Sequence, residues 1–200
     1  MNQDYTHITF VIDSSGSMSS ILEPTIAGFN KFLQEQKKLP GKLSLTQVEF
    51  SSGRLKDKFN LFDGNQNFDP YEVVFNGVDI SMVPLLTTDT FLPWGGTPLY
   101  DSVGRAINDT GDFLNKMDEI DRPAKVLFVI ITDGGENTSK KFKKKDVDTM
   151  VKHQENVYNW QFIYLGANQD AMKEAIAMGI NVSNAMTYGA NLKGVTATYE

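Results

Sequence analysis

The segment AKVLFVIITDGG, residues 124–135, constrains the fold more than any other. It is the most hydrophobic run in the chain, yet well short of the roughly 20 apolar residues that a membrane span needs. Its apolar residues are unbroken. A strand with one wet face alternates apolar and polar side chains, so an unbroken run implies a central strand covered on both faces, in a mostly parallel sheet between two helical layers. The remaining segments supply those layers. HITFVID (7–13) is a second apolar run, and KLSLTQVEFSS (42–52) alternates as a strand does. ILEPTIAGFNKFLQEQKKL (21–39) sets Ile26, Phe29, Phe32 and Leu33 at helical spacing. PLYDSVGRAINDTGDFLNKM (98–117) opens with a proline suited to a first helical turn and carries Leu99, Val103, Ile107 and Leu114 as a buried stripe. KKDVDTMVKHQENVY (144–158) and DAMKEAIAMGI (170–180) read as helices, WQFIYLGAN (160–168) as a buried strand, and residues 186–188 as a weak one. An edge strand with an Asp-Gly turn is expected in RLKDKFNLFDGNQ (54–66), and residues 65–97 read as loop-rich. No linker or repeat interrupts the pattern, which predicts one α/β domain over residues 1–200.

Composition narrows the chemistry. A net charge of −6 argues against a nucleic-acid binder, whose phosphate footprint makes a domain basic. The chain has no cysteine, so it holds no disulfide, thiolate nucleophile or cysteine-bound zinc. Its two histidines, His7 and His153, nearly exclude imidazole sites, so any metal would be held by oxygen. MNQDYTHITF lacks a basic n-region and an apolar h-region, which leads to the expectation of a cytoplasmic protein with no membrane contact.

In parallel sheets, functional residues gather in loops at the carboxyl ends of the strands. Asp13 ends the first apolar strand within FVIDSSGSMSS, and Asp133 ends the strand of residues 124–132. Two carboxylates are therefore expected on one rim, on surface loops. Each alone is more simply a helix cap or a turn residue. Together with Ser15 and Ser17 at alternating positions, and Thr97 in PWGGTPLYDS, they form a set of hard oxygens with few charges. Magnesium is held in that way, by one or two carboxylates and retained water, whereas calcium recruits more carboxylate and carbonyl oxygens.

In these residues the chain resembles a von Willebrand factor A-type domain of the bacterial or phage kind. DSSGS (13–17) matches the family's DxSxS, and Thr97 in GGTPLYDSVGRAI and Asp133 in VIITDGGENTS follow in the family's order. The resemblance extends over essentially the whole chain. It implies a Rossmann-like three-layer sandwich with one antiparallel edge strand, and a metal-ion-dependent adhesion site. Asp13, Ser15 and Ser17 would be its first-loop ligands, Thr97 the second and Asp133 the third, holding Mg²⁺, with Mn²⁺ or Ca²⁺ as alternatives. A monomeric module capturing an Asp or Glu of a partner protein is implied, and an AAA+ ATPase is the partner suggested by similar domains. The family's final helix is expected to be short or missing before Glu200.

Other features have two readings each. The basic run SKKFKKKD (139–146) either guides an acidic partner or is a solvated face. Trp94 is an interface anchor or a loop-packing residue. Glu136 and Asn137 orient the metal shell or shape a turn, Asn168 is mostly structural, and Met172 and Met178 belong to the core. Enzyme readings are weaker. GSMS (16–19) has no histidine placed to serve as its base, Ser15 stands where an aspartyl phosphatase would carry a second acid, and no GxxxxGK[ST] occurs. A Mg²⁺-assisted hydrolase and a structural module with a loop-stabilising metal are the alternatives.

Overall fold

In a computed structural model, which describes residues 1–53, 69–167 and 169–187, six strands form one sheet in the order β3-β2-β1-β4-β5-β6. The strands are β1 (Asn2–Asp13), β2 (Lys42–Phe50), β3 (Tyr71–Asp79), β4 (Pro123–Thr132), β5 (Gln161–Gly166) and β6 (Ala185–Thr187). All neighbours run parallel except β2 and β3. The helices are α1 (Leu22–Gln36), α2 (Leu99–Asn115), α3 (Lys144–Tyr158) and α4 (Gln169–Ala177).

The aliphatic run becomes β4, and its side chains divide between two cores. Phe128 and Ile130 join Val11, Val103, Ile107, Val147 and Val151 beneath α2 and α3. Leu127, Val129 and Ile131 join Phe10, Phe29 and Leu33 beneath α1. Both faces are covered, as an unbroken apolar strand requires. Met178 is buried and Met172 packs against the first of these cores.

Two elements differ from the sequence reading. β1 begins at Asn2 rather than His7, because the polar residues before His7 are recruited through backbone pairing, Asn2 with Pro123 and Tyr5 with Lys42. The antiparallel edge strand is β3, inside the stretch read as loop, while the expected strand at 54–66 lies outside the described residues. β3 escapes a period-two reading for two reasons. Its register against β2 shifts twice, and Gly77 sits at φ 63° with the Phe113 ring where a Cβ would be. The expectations for Asn168 and for the final helix also fall outside the described residues. Among the described residues no helix is long and apolar enough to cross a membrane.

The α2 face of β1 also carries a buried polar chain. The Tyr5 hydroxyl and Ser44 Oγ lie 2.6 Å apart, Ser44 Oγ and His7 Nδ1 2.7 Å apart, and Thr9 Oγ1 and Thr110 Oγ1 3.0 Å apart. Burial holds His7 neutral, with its pKa lowered to about 4. A depressed histidine contributes stability above its unfolded pKa, near 6.5, and loses it as pH falls through 4. Relative to a His7→Gln variant, the wild type should therefore lose up to about 3 kcal/mol between pH 7.5 and pH 4, since each pKa unit is worth about 1.4 kcal/mol. Urea unfolding of both proteins at the two pH values measures this, because the other titrating groups cancel in the difference.

Candidate metal centre

β1 and β4 are neighbours and end level with one another, so Asp13 and Asp133 meet at one rim of the sheet. The order of burial corrects the expectation of ligands on surface loops. Asp13 is fully buried, Ser15 and Thr97 are nearly so, Asp133 is 8% exposed, and only Ser17 stands in the open.

Hydrogen bonds join four of the five residues into one chain. Ser15 N–H donates to Asp13 Oδ1 at 2.8 Å, the Ser15 and Ser17 hydroxyls lie 3.2 Å apart, and Ser17 Oγ donates to Asp133 Oδ1 at 2.8 Å. The second oxygen of Asp13 accepts from Thr132 Oγ1 at 2.6 Å. Burial pushes the Asp13 pKa up to about 6. The hydrogen bonds from Thr132 and Ser15 work in the opposite direction, and the neighbouring Asp133 adds to the rise. A carboxylate so deeply desolvated beside a second one is a poor stabiliser of a metal-free domain and a good receptor for a cation.

Thr97 stands on a loop joined to the same rim, and among the described residues no hydrogen bond links its hydroxyl to the other four. The loop of residues 94–97 is tied through its backbone to three neighbouring loops. Trp94 N–H donates to Ser14 O, and Gly95 O accepts from Gly16 N–H. Ser52 holds Gly96 at two points, donating its N–H to Gly96 O and accepting Gly96 N–H on Oγ at 2.6 Å. Asn137 holds Thr97 in the same manner, accepting Thr97 N–H on Oδ1 at 2.8 Å and donating its own N–H to Thr97 O at 3.1 Å. Gly95 adopts φ 86°, with Gly53 N lying 2.6 Å from where a Cβ would be, so only glycine allows this approach. Trp94 remains 40% exposed on the rim.

Several of these partners were not legible in the sequence. Thr132 is the hydroxyl that closes an aliphatic strand immediately before Asp133, which is its one signal. Glu136 accepts from Tyr100 N–H, Thr138 N–H and the Ser139 hydroxyl, joining the Asp133 loop to the start of α2. Asp101 accepts from the backbones of Lys140, Lys141 and Phe142, fixing the basic run beside the same helix start. Of the two, Glu136 was named from the sequence as orienting the metal shell or shaping a turn, whereas nothing local in the sequence announces the role of Asp101. The histidines are elsewhere: His153 is exposed on α3, and His7 lies six residues down β1, about 20 Å from Asp13.

The donor set suits a hard divalent cation: two carboxylates and three hydroxyls, with no nitrogen or sulfur ligand. Among the described residues no three His, Cys, Asp or Glu side chains converge, so an ion bound here would depend on the hydroxyls. Asn137→Ala removes one of the two bonds to Thr97 and should weaken Mg²⁺ binding roughly tenfold, the scale on which partners of metal ligands act. Asn137→Asp, which keeps the acceptor, should retain most of the affinity. Calorimetric titration of both variants measures the difference.

No protein-family model matches the chain, and no curated protein matches it by sequence. Solved structures do match. A manganese-loaded TRAP protein of Plasmodium vivax superposes with a TM-score of 0.63 at 13% identity, over 100% of this chain and 74% of that one. The pilus adhesin SpaC of Lactobacillus rhamnosus GG, in an open conformation, gives 0.62 at 12% identity over 99% of this chain and 29% of its own. Proximal thread matrix protein 1 of the mussel byssus gives 0.57 at 13%, over 99% and 46%. The chain thus spans less than half the length of two of the three. At such identities the likeness is one of fold, and that fold is von Willebrand factor A-like: a mostly parallel six-stranded sheet with an antiparallel edge strand and helices.

Proposed function

We propose that the chain is a divalent-metal-dependent protein-binding module, with Asp13, Ser15, Ser17, Thr97 and Asp133 as its metal ligands and Mg²⁺ as the ion. The observation that carries this reading is the hydrogen-bonded convergence of Asp13, Ser15, Ser17 and Asp133 at the carboxyl edge of the sheet. The manganese in one matching structure and the adhesin role named for another support it by analogy of fold.

Bound at this rim, the cation would attract an anionic oxygen from outside, because three of the five side chains are neutral. The chain's own residues do the rest. Asp13 and Asp133 supply the charge, Thr132 and Ser15 N–H orient Asp13, and Asn137 and Ser52 hold the threonine loop. The oxygen supplied from outside is an Asp or Glu carboxylate of a partner protein. Capture of candidate partners with Mg²⁺ and again with chelator tests the proposal, and binding indifferent to chelator contradicts it.

The basic run has a testable share in this. Lys140, Lys141, Lys143, Lys144 and Lys145 are exposed, and Asp101 fixes the start of the run beside α2. Neutralising Lys143, Lys144 and Lys145 together should slow association with an acidic partner several-fold at low salt and leave dissociation nearly unchanged, since exposed charges act on encounter and are screened beyond about 10 Å at 0.1 M salt. Stopped-flow association across a salt series reads both.

A further inference from the structure

We infer that a pocket between α2 and the β3 edge of the sheet, away from the candidate metal centre, binds one small uncharged polyhydroxyl molecule of the size of a single sugar ring. The pocket, about 240 Å³, is floored by Thr9 of β1, Thr46 of β2, Tyr71 of β3 and Thr110 of α2. Thr9 lies four residues before Asp13 in the chain, about 13 Å away along an extended strand. The pocket shares no residue with the metal site.

The observation that points to a ligand is the Tyr71 hydroxyl. Tyr71 is 5% exposed, and its hydroxyl oxygen is buried without a hydrogen-bond partner. Burial pushes the Tyr71 pKa up, and Asp109 is close enough to add to the rise without completing a hydrogen bond of good geometry. The side chain is not free to turn elsewhere. Tyr71 pairs with Phe50 across the β2–β3 ladder, and the Arg105 guanidinium lies over its ring at 4.1 Å. A buried hydroxyl in this state is a cost to the fold, and an acceptor supplied from within the pocket removes it.

The rest of the pocket specifies the ligand. Its floor is made of hydroxyls, each able to donate or accept, which matches a molecule itself built of hydroxyls. They are held in place: Thr9 Oγ1 and Thr110 Oγ1 lie 3.0 Å apart, and Thr46 Oγ1 accepts Gly77 N–H at 3.0 Å. Val73, Ala106 and Phe113 give the same pocket an apolar wall, against which the C–H face of a sugar ring can lie. Charge is balanced around it. Asp109 and Asp112 are accompanied by Lys116, and Arg105 pairs with Asp109 at 3.6 Å, so neither an anion nor a cation is selected. Sites for drug-sized ligands occupy roughly 300–1,000 Å³, so this smaller pocket suits one ring and not a nucleotide.

The test titrates the full chain with glucose, galactose, mannose, ribose and myo-inositol, and with glucosamine and a hexose phosphate as charged controls. Each hexose is used free and as its methyl glycoside, which tells a free sugar from the end of a glycan. Backbone amide NMR shifts read the binding and place it. At least one uncharged probe should saturate at millimolar concentrations and move the amides of Thr9, Thr46, Tyr71 and Thr110 together, equally in Mg²⁺ and in chelator. Tyr71→Phe should weaken that probe at least about tenfold, the worth of one well-formed hydrogen bond, and raise the thermal unfolding midpoint of the ligand-free domain, because it deletes the unpartnered hydroxyl and keeps the ring. Val73→Trp, at a position 45% exposed on the pocket wall, should fill the pocket and abolish binding with the fold intact. The inference is overturned if no uncharged probe moves these amides, if only the charged controls do, or if either variant binds the probe as the wild type does. A lower unfolding midpoint in Tyr71→Phe would overturn it too, since the hydroxyl would then be satisfied within the protein. None of these results bears on the metal reading, which is tested with Mg²⁺ alone.

Discussion

Replacing Asp13 by asparagine should make the metal-free domain more stable at pH 7 and at the same time abolish its affinity for Mg²⁺. The two signs have one cause. Burial raises the Asp13 pKa to about 6, from an ordinary value of 3.8. A carboxyl whose folded pKa is raised contributes stability below its unfolded pKa and loses it as pH rises through the folded one. Ionised Asp13 therefore costs the metal-free domain up to about 3 kcal/mol at pH 7. Asparagine is nearly isosteric and carries no charge. Its side-chain oxygen can still accept Ser15 N–H, and Thr132 Oγ1 can turn to donate to Gly134 O, 3.3 Å away. The stability gain of Asp13→Asn should be absent near pH 4 and grow through pH 6. Chemical unfolding in chelator across this range measures it. With Mg²⁺ added the order should reverse, because a ligand that binds only the folded state stabilises in proportion to the logarithm of its concentration, and only the wild type retains the site.

The second large effect concerns the partner. A carboxylate held against a desolvated cation is expected to dominate the interface. Removing it leaves the charge on the other side without a counterpart, and losses of about 2 to 5 kcal/mol or more, roughly 30-fold to several thousand-fold in affinity, accompany the truncation of buried charge pairs. Substituting each acidic residue of the partner's contact surface in turn should reveal one residue with an effect of that size, and chelation should reproduce it. Thr97→Ala should weaken partner binding more than it weakens Mg²⁺ binding, because Thr97 stands on the rim loop with Trp94 and its hydroxyl takes no part in the hydrogen-bonded chain joining Asp13, Ser15, Ser17 and Asp133. Equal losses in the two affinities would assign Thr97 to the metal alone.

The central strands and the four α-helices were legible because burial leaves a recognisable pattern in each. The unbroken run before Asp133 had to be β4, and the stripe Leu99, Val103, Ile107 had to be the inner face of α2. The edge was not legible, for a physical reason. β3 has one covered neighbour, carries Val73 and Val74 exposed, and bends at Gly77, so its side chains follow no clean period. The metal-site residues could be named from DSSGS, GGT and TDGG, since hydroxyls and carboxylates at strand ends have a recognisable chemistry. Their depth could not, because burial of Asp13 depends on the loops around it. The same limit hid Ser52, which holds the backbone of Gly96, and left two readings of Asn137, which holds the backbone of Thr97. Such roles depend on where two distant loops meet, and no spacing within one segment encodes them.

The claim on which the account depends is that Asp13 and Asp133, with their three hydroxyl companions, hold a divalent cation. Calorimetric titration of Mg²⁺ into the wild type and into Asp13→Asn at pH 7.5, with the folded state of each checked by its unfolding transition, tests it most directly. The account predicts one saturable site in the wild type and none in a variant that is at least as stable without metal. Absence of binding to the wild type, or equal binding by the variant, would contradict it.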